Sequence, residues 1–169
     1  MKTLTSTWLT LLTIFLCQNV AYAATSEVTW SDYEKYRDID PSTGSKKFFR
    51  ERTFKNFEKH FAKLAKNLPE GQVLKIGVSD VDLAGDTHLG GINRLRIVKG
   101  VYFPRMDFSY QLVDADGNDL VAATIELKDM SFMMRNNLKY RRDSLSYEKR
   151  MLDEWFFDVF KDRLVDIEK

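Results

Sequence analysis

Residues 44–71 read GSKKFFRERTFKNFEKHFAKLAKNLPEG, and residues 72–86 continue QVLKIGVSDVDLAGD. The first part has the spacing of an amphipathic helix. Phe54, Phe57, Phe61, Leu64 and Leu68 recur at alternating steps of three and four, which gathers them on one helical face. Ala65 shares that face, Lys55, Lys59, Lys63 and Lys66 fall opposite, and His60 sits at the edge of the stripe. Phe48 points away from it. Ser45 after Gly44 is the expected N-cap, and Leu68-Pro69-Glu70-Gly71 ends the helix, because proline cannot continue it and glycine supplies a turn. The second part alternates Leu74, Ile76 and Val78 with Lys75, Gly77 and Ser79, the pattern of a half-buried strand. Gly77 marks a bulge or a close backbone approach. The strand runs into an acidic loop, Asp80 to Asp86.

Working outward, Glu27-Val28-Thr29-Trp30 reads as a short strand, and Ser31-Asp32-Tyr33-Glu34 has the S-x-x-E form that starts a helical turn. Beyond the acidic loop, Leu95 and Ile97 alternate with Arg94 and Arg96, which predicts a further strand with a basic outer face. Met106, Phe108, Tyr110 and Leu112 form the cleanest alternation in the chain. Asp114-Ala115-Asp116-Gly117-Asn118 is a hairpin turn, and Val121, Ala123, Ile125 and Leu127 form the returning strand. Residues 128–143 read as a loop with an apolar start (Met130, Phe132, Met133, Met134) and a basic end. Tyr147, Met151, Leu152, Trp155, Phe156, Val159 and Phe160 give a second amphipathic helix. Glu148 lies inside its apolar arc in the first turn, where a carboxylate faces the helix N-terminal dipole.

Residues 1–23 have the form of a cleavable signal peptide: Lys2, a short apolar run from Trp8 to Leu16, and the A-x-A site Ala21-Tyr22-Ala23. The run is too short to span a bilayer comfortably, and no other segment is apolar enough to do so. Cleavage after Ala23 leaves 169 − 23 = 146 residues, one domain by length. The only cysteine, Cys17, leaves with the leader, so residues 24–169 hold no disulfide, thiol nucleophile or Cys metal site. Lys and Arg number 26 − 1 = 25 after cleavage against 25 Asp and Glu, a balance that argues against bulk nucleic-acid binding.

The expected fold is therefore α+β: a mainly antiparallel sheet of about five strands with two main helices packed on one face. The single parallel pair joins Val28–Trp30 to Leu74–Val78, since the long connection through the helix suits a right-handed crossover.

Chemistry is offered at few places. Asp80, Asp82, Asp86 and His88 form the best candidate site, because Asp80 and Asp82 leave the strand on the same side and carboxylates with an imidazole can hold a divalent ion. The calcium-loop pattern fails there, with Ala84 at the fifth position and Gly91 at the twelfth. The competing reading is a solvated loop whose carboxylates cap backbone turns. Asp114, Asp116 and Asn118 are turn chemistry first. Met130, Met133 and Met134 can bind soft copper, or fill gaps in a core. Arg94, Arg96, Lys99 and Arg105, with Tyr102 and Phe103, form a possible contact surface for anionic material or a solvated, edge-protecting strand face. No G-x-S-x-G elbow and no phosphate-binding glycine loop is present.

Seven short stretches carry a resemblance. Tyr36-Arg37-Asp38-Ile39, Glu58-Lys59-His60-Phe61, Leu68-Pro69-Glu70-Gly71, Asp80-Val81-Asp82-Leu83-Ala84-Gly85, Pro104-Arg105-Met106, Leu127-Lys128-Asp129-Met130 and Tyr147-Glu148-Lys149-Arg150-Met151-Leu152 resemble the bacterial "domain of unknown function 3016" family. The resemblance spans residues 24–169. It implies an exported, periplasmic protein and adds no catalytic residues. The helix, strand and hairpin order also resembles small periplasmic modules of envelope-assembly lipoproteins, in architecture only.

The resulting expectation is a non-enzymatic, exported protein that binds a protein or envelope component without a cofactor. The alternative is a metal-binding protein or metal-assisted hydrolase using Asp80, Asp82, Asp86 and His88.

Overall fold

A computed structural model describes residues 23–87, 95–135 and 138–165. His88 and Arg94 lie outside them, as does the expected leader apart from Ala23.

The elements follow in the order β1 (Thr25–Trp30), α1 (Lys46–Ala65), β2 (Val73–Asp82), β3 (Arg105–Val113), β4 (Asp119–Lys128) and α2 (Ser146–Phe160), with short 3₁₀ turns at Tyr33–Lys35 and Leu138–Tyr140. The fold is α+β. The strands lie in the order β1-β2-β3-β4, with β1 parallel to β2 and the other two pairs antiparallel. Val28 stands opposite Ile76 and Trp30 opposite Val78, which is the expected parallel pairing.

The sheet differs from expectation in size and kind: it is mixed and four-stranded, not a mainly antiparallel sheet of about five. The segment read as an extra strand makes only an isolated bridge, Asp86 with Ile97. The alternation around Leu95 does not report a buried face, because Leu95 is 67 % exposed and the Arg96 side chain turns inward to hydrogen-bond. A four-residue alternation carries too little information to separate a strand from a loop that lies across one.

Both helices contribute to one core with a single face of the sheet. Phe57, Phe61, Leu64 and Ala65 of α1 meet Leu74, Ile76 and Val78 of β2, Met106, Phe108 and Leu112 of β3, and Leu152, Trp155, Phe156 and Phe160 of α2. Trp155 is the aromatic hub, set edge-on to Phe108 at 4.8 Å and to Tyr110 at 5.3 Å. Phe48 is exposed, as its position off the stripe requires. Ser45 is the N-cap residue of α1, yet its side chain makes no capping bond. After α1, Asn67 Nδ2 donates to the Leu64 carbonyl at 2.8 Å, and Gly71 turns the chain at φ 76°. A Cβ at Gly71 would meet Ala115 Cβ at 2.9 Å, so glycine serves both the turn and the close approach.

Candidate functional site

The register of β2 decides where the acidic residues point. Leu74, Ile76 and Val78 face the core, and simple alternation would send Asp80 and Asp82 after them. A bulge intervenes: Val78 pairs with Phe108, and the next pair is Asp80 with Asp107. The extra residue flips the parity, so Val81 is buried while Asp80 and Asp82 share the opposite face.

On that face each aspartate meets an arginine. Arg37 Nε lies 3.0 Å from Asp80 Oδ2, its backbone N–H donates to Asp80 Oδ1 at 2.8 Å, and its guanidinium reaches Asp107 at 3.5 Å. Arg105 lies 3.6 Å from Asp82 and stacks over Phe103 at 4.2 Å. Burial pushes the Asp82 carboxyl above its usual range against the pull of Arg105, and pushes Asp107 up against that of Arg37.

The chain before α1 is locked to this strand end. Asp38 bridges Asp82, donating its N–H to the Val81 carbonyl at 3.1 Å and accepting from Leu83 N–H at 3.2 Å. Arg96 then holds the junction. Its guanidinium grips both oxygens of Asp38 at 2.7 and 3.1 Å and donates to the carbonyls of Gly85 and Asp40, each at 2.9 Å. Asp86 sits beyond the Gly85 turn, its backbone paired with Ile97. Gly85 has φ 88° and an added Cβ would lie 2.9 Å from the Ile97 carbonyl oxygen, so the loop needs glycine there.

The sequence-predicted residues are thus dispersed into different tasks. Asp80 and Asp82 do share a face, and both stand in ion pairs. His88 lies outside the described residues, and among the described residues no group of three His, Cys, Asp or Glu is arranged to hold an ion. Of the expected contact surface, Arg96 and Arg105 are engaged with Asp38 and Asp82, Lys99 is exposed, and Arg94 lies outside the described residues. Asp114 accepts N–H bonds from Asp116 at 2.9 Å and Asn118 at 2.8 Å, which is the turn chemistry expected of it.

Beside the Arg96 junction lies a mostly apolar cleft of about 270 Å³. Pro41, Phe49, Leu83, Leu145 and Tyr147 supply apolar lining, and Arg96 and Glu148 line it as well. Glu148 is buried in the first turn of α2, and its Oε1 accepts the Ala84 N–H at 2.8 Å. Burial pushes its carboxyl up, opposed by the Ala84 and Glu148 N–H groups and by the charge of Arg96. Two non-glycine residues on the cleft, Ser42 (φ 57°) and Leu145 (φ 59°), hold left-handed backbone. Such conformations cost energy and persist where the surroundings impose them. Glu148 was signalled by its position in the apolar arc and by the resemblance carried by Tyr147-Glu148-Lys149-Arg150-Met151-Leu152. Asp38 and Arg37 read as ordinary loop charges, and their one signal was the family resemblance of Tyr36-Arg37-Asp38-Ile39.

A second charged node joins the helices. His60, placed by sequence at the edge of the stripe, is buried, with Nε2 3.0 Å from Asp153 Oδ1 and 3.1 Å from the Lys149 carbonyl oxygen. Tyr140 donates to Asp153 Oδ2 at 2.7 Å, and Lys139 pairs with the same oxygen. Burial pushes Asp153 up, but these donors outweigh it and hold its pKa down at about 2.

Residues 24–158 match a family described as "Protein of unknown function (DUF3016)". Neither a curated protein nor a solved structure matches the chain.

Proposed function

We propose that this chain, which belongs to the DUF3016 family, is an exported, periplasmic, non-enzymatic module that binds a protein component of the cell envelope. The cleft beside Glu148 takes an apolar side chain of that partner. The observation that carries the reading is the cleft itself: about 270 Å³ of mostly apolar space, enough for one large side chain, with a rim fixed by the Arg96 junction. Its polar groups support the reading by their occupation. Glu148 accepts a backbone N–H, and Arg96 is spent on Asp38 and on carbonyls. A site of this kind offers shape and apolar contact, with orientation set by a few fixed polar groups. Export rests on the form of residues 1–23.

The experiment places a photo-crosslinking phenylalanine analogue at Phe49, in the cleft, or at Thr124, on the uncovered sheet face. Cells are irradiated and adducts of the exported chain are identified. The expected result is one defined envelope-protein adduct from position 49, lost when Ser144→Trp obstructs the rim while the melting temperature is kept. Adducts from position 124 alone, or a position-49 adduct indifferent to Ser144→Trp, would remove the cleft from the account.

A further inference from the structure

The segment after β4 carries three methionines in five residues, Met130, Met133 and Met134. The ordinary place for such side chains is a gap in a core, and the structure puts none of the three there. Met130 is 65 % exposed, Met133 52 % and Met134 91 %, whereas Met106 and Met151 are buried. Large apolar side chains gathered in the open call for a reason.

The turn that presents them is well anchored. Phe132, between the methionines in sequence, is fully buried, its ring edge-on to Tyr147 at 4.8 Å. Asp129, also buried, donates its N–H to the Pro104 carbonyl at 3.2 Å and accepts from Ser131 N–H at 3.0 Å. Arg150 reaches out from α2 and donates to Asp129 Oδ2 at 2.9 Å, to the Phe132 carbonyl at 2.8 Å and to the Arg135 carbonyl at 3.2 Å. Two overlapping turns wind the segment, Phe132 N–H to the Asp129 carbonyl at 3.4 Å and Met134 N–H to the Ser131 carbonyl at 2.9 Å. In a winding of about three residues per turn, positions three apart share a side. Met130 and Met133 are so related, Met134 follows about a third of a turn further on, all three are open to solvent, and Phe132 is buried.

From this arrangement we infer that the turn binds a soft monovalent cation, copper(I), through the thioether sulfurs of Met130, Met133 and Met134. Thioethers are uncharged, polarisable ligands that favour copper(I) over hard divalent ions. An anchored backbone lowers the ordering cost of bringing three of them onto one ion. A purely apolar docking patch would be served equally well by leucine, and that difference defines the test.

The full chain is prepared with Cys17→Ser, which removes its one thiol. It is titrated with silver(I), which needs no reductant, and with copper(I) held by a chromophoric chelator under ascorbate. The methionine ε-methyl resonances are followed in both titrations. The ε-methyls of Met130, Met133 and Met134 should shift together on adding silver(I), while those of Met106 and Met151 stay in place. The variant M130L/M133L/M134L should lose the capacity to draw copper(I) from the chelator, and zinc should move none of the resonances. Silent methyls at the three positions, or a leucine variant that competes for copper(I) as well as its parent, would overturn the assignment. If the leucine variant fails to fold, the methyl shifts of the parent chain decide alone. None of these outcomes depends on the cleft beside Glu148, so the two proposals stand or fall separately.

Discussion

Replacing Arg96 with methionine tests the junction most directly. The guanidinium makes two bonds to Asp38 and others to the Gly85 and Asp40 carbonyls, so its loss releases two chain segments at once. Breaking a buried ion pair by removing one partner costs about 3–5 kcal/mol. Here the side chains keep 21 % and 14 % of their exposure, so water compensates part of that penalty. The expected cost of Arg96→Met is therefore about 2–3 kcal/mol. For a domain of this size that is a fall of about 4–12 °C in melting temperature, at about 2–4 °C per kcal/mol. Asp38→Asn and the double variant complete a cycle in urea titrations, and the coupling between the two sites should be about 1–2 kcal/mol. A cost below about 0.5 kcal/mol, the range of ordinary surface substitutions, would show that Arg96 does not hold the junction. So would a coupling near zero.

Phe61→Ala should destabilise by about 3–5 kcal/mol, as for a large core cavity, and Lys63→Ala on the exposed face by less than about 0.5 kcal/mol; equal effects in urea would mean α1 is turned the other way. Calcium, magnesium and zinc should leave the melting temperature unchanged. An ion at one hundred times its dissociation constant would add about 2.7 kcal/mol, and a rise that vanished in Asp82→Asn would restore a divalent-ion site on β2. Asp153 falls from an ordinary 3.8 to about 2 in the fold. A depressed folded pKa gives stability present above the unfolded value and lost as pH falls through the folded one, here about 2 kcal/mol between about pH 4 and pH 2. Asp153→Asn should flatten the acid limb of the unfolding free energy, and an unchanged limb would contradict the donor set around it. Glu148 carries the opposite sign. Its raised pKa favours the fold below its ordinary value and stops doing so as pH rises through the folded one. Glu148→Gln should therefore remove a loss of stability on the less acidic side, and equal slopes for parent and variant would refute the assignment.

The main outline was legible because it rests on periodic burial. The α1 stripe, the pairing of β1 with β2 and the hairpin after β3 each follow from which side chains must leave water. What escaped the sequence depends on backbone irregularity or on partners distant in the chain. The bulge after Val78 reverses the facing of Asp80 and Asp82, and the sequence offered for it only Gly77, which equally marks a close backbone approach. Arg96 alternated with apolar residues and so read as the outer face of a strand, whereas its bonds run to residues on two earlier segments. His60 and Asp153 each look like boundary residues on their own helix, and only the packing of α1 on α2 makes them a buried pair. The methionines were open to two readings, and their exposure set aside the one that placed them in the core.

The pairing of β1 has a bearing on the order in which the sheet assembles. Its partners on β2 lie 48 residues away (73 − 25), whereas β3 and β4 close from the hairpin outward, beginning at Val113 and Asp119. Chain closure over a long separation is paid before contacts reward it. The β2–β3–β4 meander with α2 can therefore collapse first, leaving an open edge along β2 until β1 arrives from the far side of α1. Amide exchange should find the Thr25–Trp30 ladder opening at lower free energy than the β2–β3 ladder. During that interval the open edge of β2 accepts any extended strand on offer, so the first residues after the expected cleavage point double as the guard against edge-to-edge association.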